Sequence, residues 1–160
     1  MTTGGENGVV GAVLQARLGS TRLPGKMLRD LCGMPLVDHV VERLRRARSL
    51  DRIVVAIPEG GRDDALAAHC LSRGWDTFRG SEDDVLGRYA ACARAFGLDH
   101  IVRATGDTPL VDPEEVDRLV RLHLEEGADY SSSKDEVGSR LPNGTGLEMF
   151  TRAAFAVRTL

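Results

Sequence analysis

Short apolar runs separated by amphipathic segments predict an α/β fold: a doubly wound, Rossmann-like three-layer sandwich around a mostly parallel sheet. The first observation is the runs themselves, Val9 to Gln15, Arg52 to Ile57 and His100 to Ala104, which are rich in Val and Ile and bounded by turn residues. Parallel strands read this way because helices cover both faces of their sheet. The second observation is the helical spacing between the runs. In Leu36 to Ala47, the residues Leu36, Val37, Val40, Val41 and Leu44 share one face, while Glu42, Arg43, Arg45 and Arg46 lie elsewhere. The third is a pair of unusual loops, after Gln15 and after Ala104. Both leave carboxyl ends of strands, where ligands sit in such sheets.

The remaining elements follow in order. Asp63 to Arg73 reads as a helix stopped by Gly74, and Asp76 to Arg79 as a short strand. Asp83 to Phe96 reads as a helix with Val85, Leu86, Tyr89, Ala90, Ala93 and Phe96 inward. Pro113 to Glu126 is a helix with a well-marked start: Asp112 as N-cap, Pro113 at the first position and Glu115 closing a capping box. Asp129 to Ser131 and Leu147 to Phe150 are short strands around a polar loop, Ser132 to Gly146, and a helix starts at Thr151. Met1 to Gly8 reads as a frayed tail, and residues 9–160 as one domain.

Composition narrows the function classes. A chain of 160 residues with 42% apolar and 28% charged residues suits a soluble globular domain. A net charge of −3 and only 4% aromatics disfavour a nucleic-acid module, which needs a basic field and stacking platforms. No run approaches a membrane span, and the first eight residues lack a signal-peptide pattern, so a cytoplasmic protein is expected. The three cysteines, Cys32, Cys70 and Cys92, form no CxxC pair and lie in or beside apolar stretches. They read as buried free thiols of a reducing compartment. His39, His69, His100 and His123 have no ligand spacing and read as packing or surface residues, as does Trp75. The run Arg43, Arg45, Arg46 and Arg48 reads as a solvated helix end.

The loop from Ala16 to Lys26 carries Arg17, Arg22 and Lys26 with Gly19, Gly25, Ser20 and Thr21. A polyphosphate needs this set: free backbone N–H groups and hydroxyls for its oxygens, and cations for its charge. Five residues separate Gly19 from Gly25 and Met27 follows Lys26, so this is not a Walker A loop; nor is it a dinucleotide GxGxxG turn. A solvated basic loop is the alternative. In the second loop, Gly106-Asp107-Thr108-Pro109 leaves one carboxylate at a strand's edge. Asp107 could hold Mg²⁺ against substrate phosphates, since magnesium takes one or two carboxylates and completes its shell with phosphate and water. The alternative is an Asp that merely caps a turn.

Taken together the motifs are more specific. Gln15-Ala16-Arg17-Leu18-Gly19-Ser20-Thr21-Arg22-Leu23-Pro24-Gly25-Lys26 resembles the signature of the cytidylyltransferases that activate acidic sugars, such as the CMP-KDO synthetases, and looks most like their spore-coat-polysaccharide branch. The similarity continues through Gly33 to Leu36, Asp51 to Ala56, Arg79 to Leu86 and Val102 to Pro113. This resemblance implies a GT-A-type nucleotidyltransferase fold and transfer of CMP from CTP, with Mg²⁺, to a small acidic acceptor. It implies that Leu14, Gln15 and Ala16 line the base pocket and that Arg17, Arg22 and Lys26 hold the triphosphate. It implies that Asp107 is the metal ligand, with Ser81 to Asp84 near the base or ribose. Gly19, Ser20, Arg103 and Thr105 join the substrate-binding set on the same grounds.

The chain also departs from that family. Relatives are longer and draw a second metal-binding acid, and often a dimer contact, from the additional part. An acid usually stands where Gly146 stands here. Glu148 and Asp135 are the candidates for a second ligand. Either the chain is part of a longer one, or it is a compact form with a smaller acceptor. The short cytidylyltransferase domain fused to a phosphoenolpyruvate mutase in fosfomycin biosynthesis is similar in size, and its acceptor is a hydroxyalkyl phosphonate. A sugar acid and such a phosphonate both remain candidate acceptors, and a homodimer or fused domain a candidate partner. The rival classes are a nucleotide-binding module without catalysis and a kinase-type phosphotransferase.

Overall fold

The structure is a computed structural model and describes residues 8–134, 140–142 and 145–158. The expected α/β sandwich is present. Strand β1 (Val10–Gln15) lies at the centre, flanked in parallel by β4 (Arg52–Pro58) and β6 (His100–Thr105), and β5 (Asp76–Gly80) adds in parallel outside β4. On the other side β8 (Glu148–Thr151) runs antiparallel to β6, and β7 (Tyr130–Ser132) antiparallel to β8. The order across the sheet is β5-β4-β1-β6-β8-β7.

Residue alternation along β1 divides the core. Ala12 and Leu14 face one side, packed among Val37, Val41 and Leu44 of α1 (Leu36–Leu44), Leu66 of α2 (Asp64–Ser72) and Val116 and Val120 of α4 (Pro113–Glu126). Val13 faces the other, with Tyr89, Cys92 and Ala93 of α3 (Val85–Phe96), and Phe155 of the closing 3₁₀ turn packs against the same cluster. Two buried faces on one strand account for its unbroken apolar reading.

Several expectations are corrected. Helix α3 begins two residues late because the Asp84 carboxylate accepts from Gly87 N at 2.8 Å, making Asp84 the cap. Helix α1 ends at Leu44, and a turn carries the chain on through Ala47, whose N donates to Leu44 O at 3.1 Å. Asp112 caps α4 as expected, accepting from Glu114 N at 3.0 Å, but Glu115 is engaged by Arg118 at 2.8 Å instead of completing a capping box. A small hairpin of β2 (Asp30–Leu31) and β3 (Met34–Pro35) was not anticipated. Its turn residues are Cys32 (φ 53) and Gly33 (φ 93), the left-handed pair that a tight hairpin requires. Cys32 is therefore exposed at a tip, while Cys70 and Cys92 are buried, with thiols pushed up by burial to about 11 and about 12.

The histidines pack as expected: His39 meets Leu31 O at 2.6 Å, His69 meets the buried Asp38 at 2.6 Å, and His100 and His123 stack edge to face at 5.3 Å. Trp75 is buried. Arg43 is not simply solvated; its Nε donates to Val111 O at 2.7 Å, fastening the segment before α4 to α1. Among the described residues no helix is long and apolar enough to cross a membrane.

Candidate active site

The sheet itself brings the two loops together. Gln15 pairs with Thr105 at the carboxyl ends of β1 and β6, and Gly106 N donates to Gln15 O at 2.9 Å. A Cβ on Gly106 would stand 2.6 Å from Met27 Sδ and 3.3 Å from Ala16 Cβ, so a larger residue would have to displace the Met27 side chain for the loops to keep this contact. Between them lies an open cleft of about 290 Å³.

The first loop is folded back on itself. Leu18 O accepts from Ser20 N at 2.8 Å and from Gly25 N at 3.0 Å, while Leu18 N donates to the buried Asp63 at 2.5 Å. Gly25 (φ 69) opens a 3₁₀ turn, Lys26–Leu28, that drives Met27 into the core and leaves Lys26 facing the cleft. Arg17, Ser20, Thr21 and Arg22 line the same cleft. Arg17 and Arg22 are exposed and form no ion pair among the described residues, so both charges are available to an anion. Gly19 sits under the Arg62 side chain, where a Cβ would meet Nη1 at 3.0 Å.

Opposite stand Arg103, Thr105 and Asp107. Asp107 Oδ2 lies 2.6 Å from Lys26 Nζ, with the Asp107 side chain 46% exposed. Burial works against its charge, but hydrogen bonds from Lys26 and Thr105 hold the carboxyl below the usual carboxylate range. A half-exposed anionic oxygen that already attracts a cation suits Mg²⁺. Among the described residues no group of three or more His, Cys, Asp or Glu surrounds it, so phosphate and water would complete the shell.

Other expected residues fall elsewhere. Leu14 and Ala16 have buried side chains, so it is their backbone that a base could meet; Gln15 is the member of that trio that lines the cleft. Ser81 and Asp84 lie at the start of α3, where Ser81 Oγ accepts from Asp84 N at 3.0 Å. They build that turn and lie outside the cleft wall. Glu148 is held by Arg103, by Lys134 at 2.6 Å and by Tyr130 at 3.1 Å. Burial opposes its charge, yet the bonds from Lys134 and Arg103 depress its pKa. Both its oxygens are engaged, the setting of a counter-ion. Asp135 lies outside the described residues.

Sequence reasoning passed over three residues beneath the site. Tyr89, read as a core residue, shares its hydroxyl between Ala104 O at 3.3 Å and Gln15 Oε1 at 3.4 Å. Its burial pushes the phenol up to about 12, so it stays protonated. Arg88 is buried with Nη1 on Ser81 O, and its burial lowers its pKa. Lys134 supplies the second cation on Glu148. None had a sequence signal beyond its residue type.

The sequence profile of the cytidylyltransferase family matches residues 12–150, which includes both loops and the whole sheet except the first two residues of β1 and the last residue of β8. The chain belongs to the cytidylyltransferase family. It is 43% identical over 123 residues to the spore coat polysaccharide biosynthesis protein SpsF of Bacillus subtilis, covering 74% of this chain and 51% of that one. It is 39% identical over 127 residues to the 3-deoxy-manno-octulosonate cytidylyltransferase of an Anaeromyxobacter species, covering 77% and 50%. A solved cytidylyltransferase from Leptospira borgpetersenii superposes with a TM-score of 0.85 at 32% identity, over 92% of this chain and 62% of that one. A CMP:2-keto-3-deoxy-manno-octonic acid synthetase complexed with CTP shares the fold, with a TM-score of 0.74 at 20% identity, over 92% and 76%. The chain spans about half the length of the curated relatives it matches.

Gly146, where the resemblance leads one to expect an acid, is closely packed. A Cβ at Gly146 would lie 2.6 Å from Lys134 Cα and 2.8 Å from Ser133 O, both backbone atoms. An acid therefore does not fit there without moving the 133–134 segment. Gly146→Asp is expected to cost about 1–3 kcal/mol, as overpacking does. A thermal denaturation curve checks this, and a variant as stable as the parent would show that the segment yields freely.

Proposed function

We propose that this chain carries the nucleotide-binding and catalytic part of a CTP-dependent cytidylyltransferase, moving CMP from CTP to a small acidic acceptor and releasing pyrophosphate. The observation that carries the reading is the cleft: Arg17 and Arg22, which form no ion pair among the described residues, face Asp107 across the carboxyl ends of β1 and β6, in a chain of this family. The acceptor is a sugar acid or a hydroxyalkyl phosphonate.

The acceptor oxygen attacks the α-phosphorus in line, and the bond to the β-phosphate oxygen breaks. Such a reaction is governed by positioning and charge stabilisation. Arg17, Arg22 and Lys26 bind the triphosphate, and Arg22 and Lys26 neutralise the charge that gathers on departing pyrophosphate. Asp107 would hold Mg²⁺, whose chemistry when bound is to polarise phosphate oxygens. Gln15, whose residue lines the cleft, is our candidate for the side chain that touches the base. Ser20 and the Gly19 backbone give further donors, and Thr105 and Arg103 border the acceptor side. A phosphonate oxygen is already an anion at neutral pH and needs no general base, whereas the hydroxyl of a sugar acid gives up its proton to solvent or a base as it attacks. The CTP preference is supported by the relatives, one of which is a CTP complex. Buried free thiols at Cys70 and Cys92 are consistent with work in the cytoplasm.

The test is release of pyrophosphate with Mg²⁺ and each of the four nucleoside triphosphates in turn, across acidic acceptors. Release with CTP above the others supports the reading. A nucleoside diphosphate as product would instead indicate a kinase-type transfer, and binding without release a nucleotide-binding module.

A further inference from the structure

Two residues with opposite duties hold each other across the cleft. Lys26, assigned to phosphate, and Asp107, assigned to metal, come from loops 81 residues apart and meet at 2.6 Å. We propose that the Lys26 ammonium is a placeholder for the divalent cation: it occupies Asp107 until the metal–triphosphate complex arrives, then moves to the phosphates as the metal takes the carboxylate. The inference rests on the reading of Asp107 as a metal ligand and says how that site is loaded.

Sterics and charge both support exchange over sharing. A magnesium–carboxylate bond is about 2.0–2.1 Å long, so a metal on Oδ2 would crowd an ammonium seated on the same oxygen and repel it. The cleft is also unfavourable to a bare dication. Arg17, Arg22, Lys26 and Arg103 line it, and Asp107 is the acid among them. Glu148, the neighbouring carboxylate, is already bonded by Arg103, Lys134 and Tyr130. A triphosphate reverses this balance by bringing its own negative charge, so metal and nucleotide favour each other's entry. Linkage makes that preference reciprocal.

The local structure lets the exchange occur without refolding. Met27 pins the 3₁₀ turn to the core, so the backbone stays while the flexible lysine stem swings. The pair is partly exposed, with side-chain exposures of 20% and 46%, and a pair so placed is weak enough to break. Until it breaks, Asp107 has a partner and the two loops are tied across the cleft.

The experiment measures Mn²⁺ binding by electron paramagnetic resonance and calorimetry, with no nucleotide, in the parent protein and in Lys26→Met, Lys26→Gln, Arg22→Met and the double variant Lys26→Met/Asp107→Asn. Circular dichroism first establishes that each is folded. Arg22→Met removes one cleft cation that does not touch Asp107 and so reports the long-range charge effect alone. The two Lys26 variants are expected to bind Mn²⁺ about tenfold tighter than the parent, and Arg22→Met within about threefold of it. The double variant should lose the gain. Adding CTP should tighten Mn²⁺ binding to the parent protein. Lys26 variants that bind no tighter than Arg22→Met would overturn the placeholder role while leaving Asp107 as ligand. A double variant that keeps the gain would overturn the metal assignment of Asp107 and the proposal with it.

Discussion

Replacing Asp107 with asparagine is expected to lower turnover about 10³-fold, the scale of losing a principal electrostatic contact to a transition state. The change keeps the shape of the side chain and removes the charge that draws a cation to the cleft. Little stability should be lost, because the pair with Lys26 is partly exposed and such pairs contribute at most about 1 kcal/mol. The signs of the pH effects agree. The folded-state pKa of Asp107 is held below its ordinary value, so any stability it contributes is present above the unfolded carboxylate range and is lost only as pH falls through the lower folded value. The carboxylate is thus fully ionised at neutral pH, where the assay is run. Steady-state kinetics with CTP and Mg²⁺, alongside a melting curve, would check both halves. A folded Asp107→Asn enzyme with near-parent turnover would remove Asp107 from the mechanism.

The second large effect is expected from Lys26→Ala: a fall of about 10²–10³ in kcat with the fold intact. Lys26 sits on a turn whose position is set by Gly25 and the buried Met27, not by its own side chain. Truncation should therefore cost charge on the leaving pyrophosphate without disturbing the loop. Arg17 and Arg22 remain to bind CTP, so KM should rise less than kcat falls. If instead kcat holds and only KM rises, Lys26 contributes equally to ground state and transition state, and its assignment to leaving-group stabilisation is wrong.

Much of this site was legible in the residues because its parts are local. The Arg17 to Lys26 loop and the Gly106-Asp107 turn each carry their chemistry within a few residues, and parallel pairing of β1 with β6 places them side by side. The start of α4 was legible for the same reason, since Asp112 and Pro113 act within one turn. What could not be read were partnerships across long separations. Lys26 with Asp107, Arg103 with Glu148, and Tyr89 with Gln15 join segments 81, 45 and 74 residues apart. Nothing in Glu148 itself reveals its partners; Arg103, Lys134 and Tyr130 between them engage both of its oxygens. The motif that implies a base pocket at Leu14 and Ala16 does not reveal that both side chains are buried in the core, which leaves their backbone to face a ligand. The β2–β3 hairpin was hidden because Cys32, a residue type rare at positive φ, takes a turn position usually signalled by Asn or Asp.

The most direct test of cytidylyl transfer is phosphorus NMR of the protein with Mg²⁺, CTP and a pool of ulosonic acids and small hydroxyalkyl phosphonates. The account predicts pyrophosphate together with a new phosphorus signal: a phosphodiester for a sugar acid, or a coupled phosphonate–phosphate anhydride pair for a phosphonate. Bound CTP that yields no pyrophosphate with any acceptor, or that yields CDP, would contradict it.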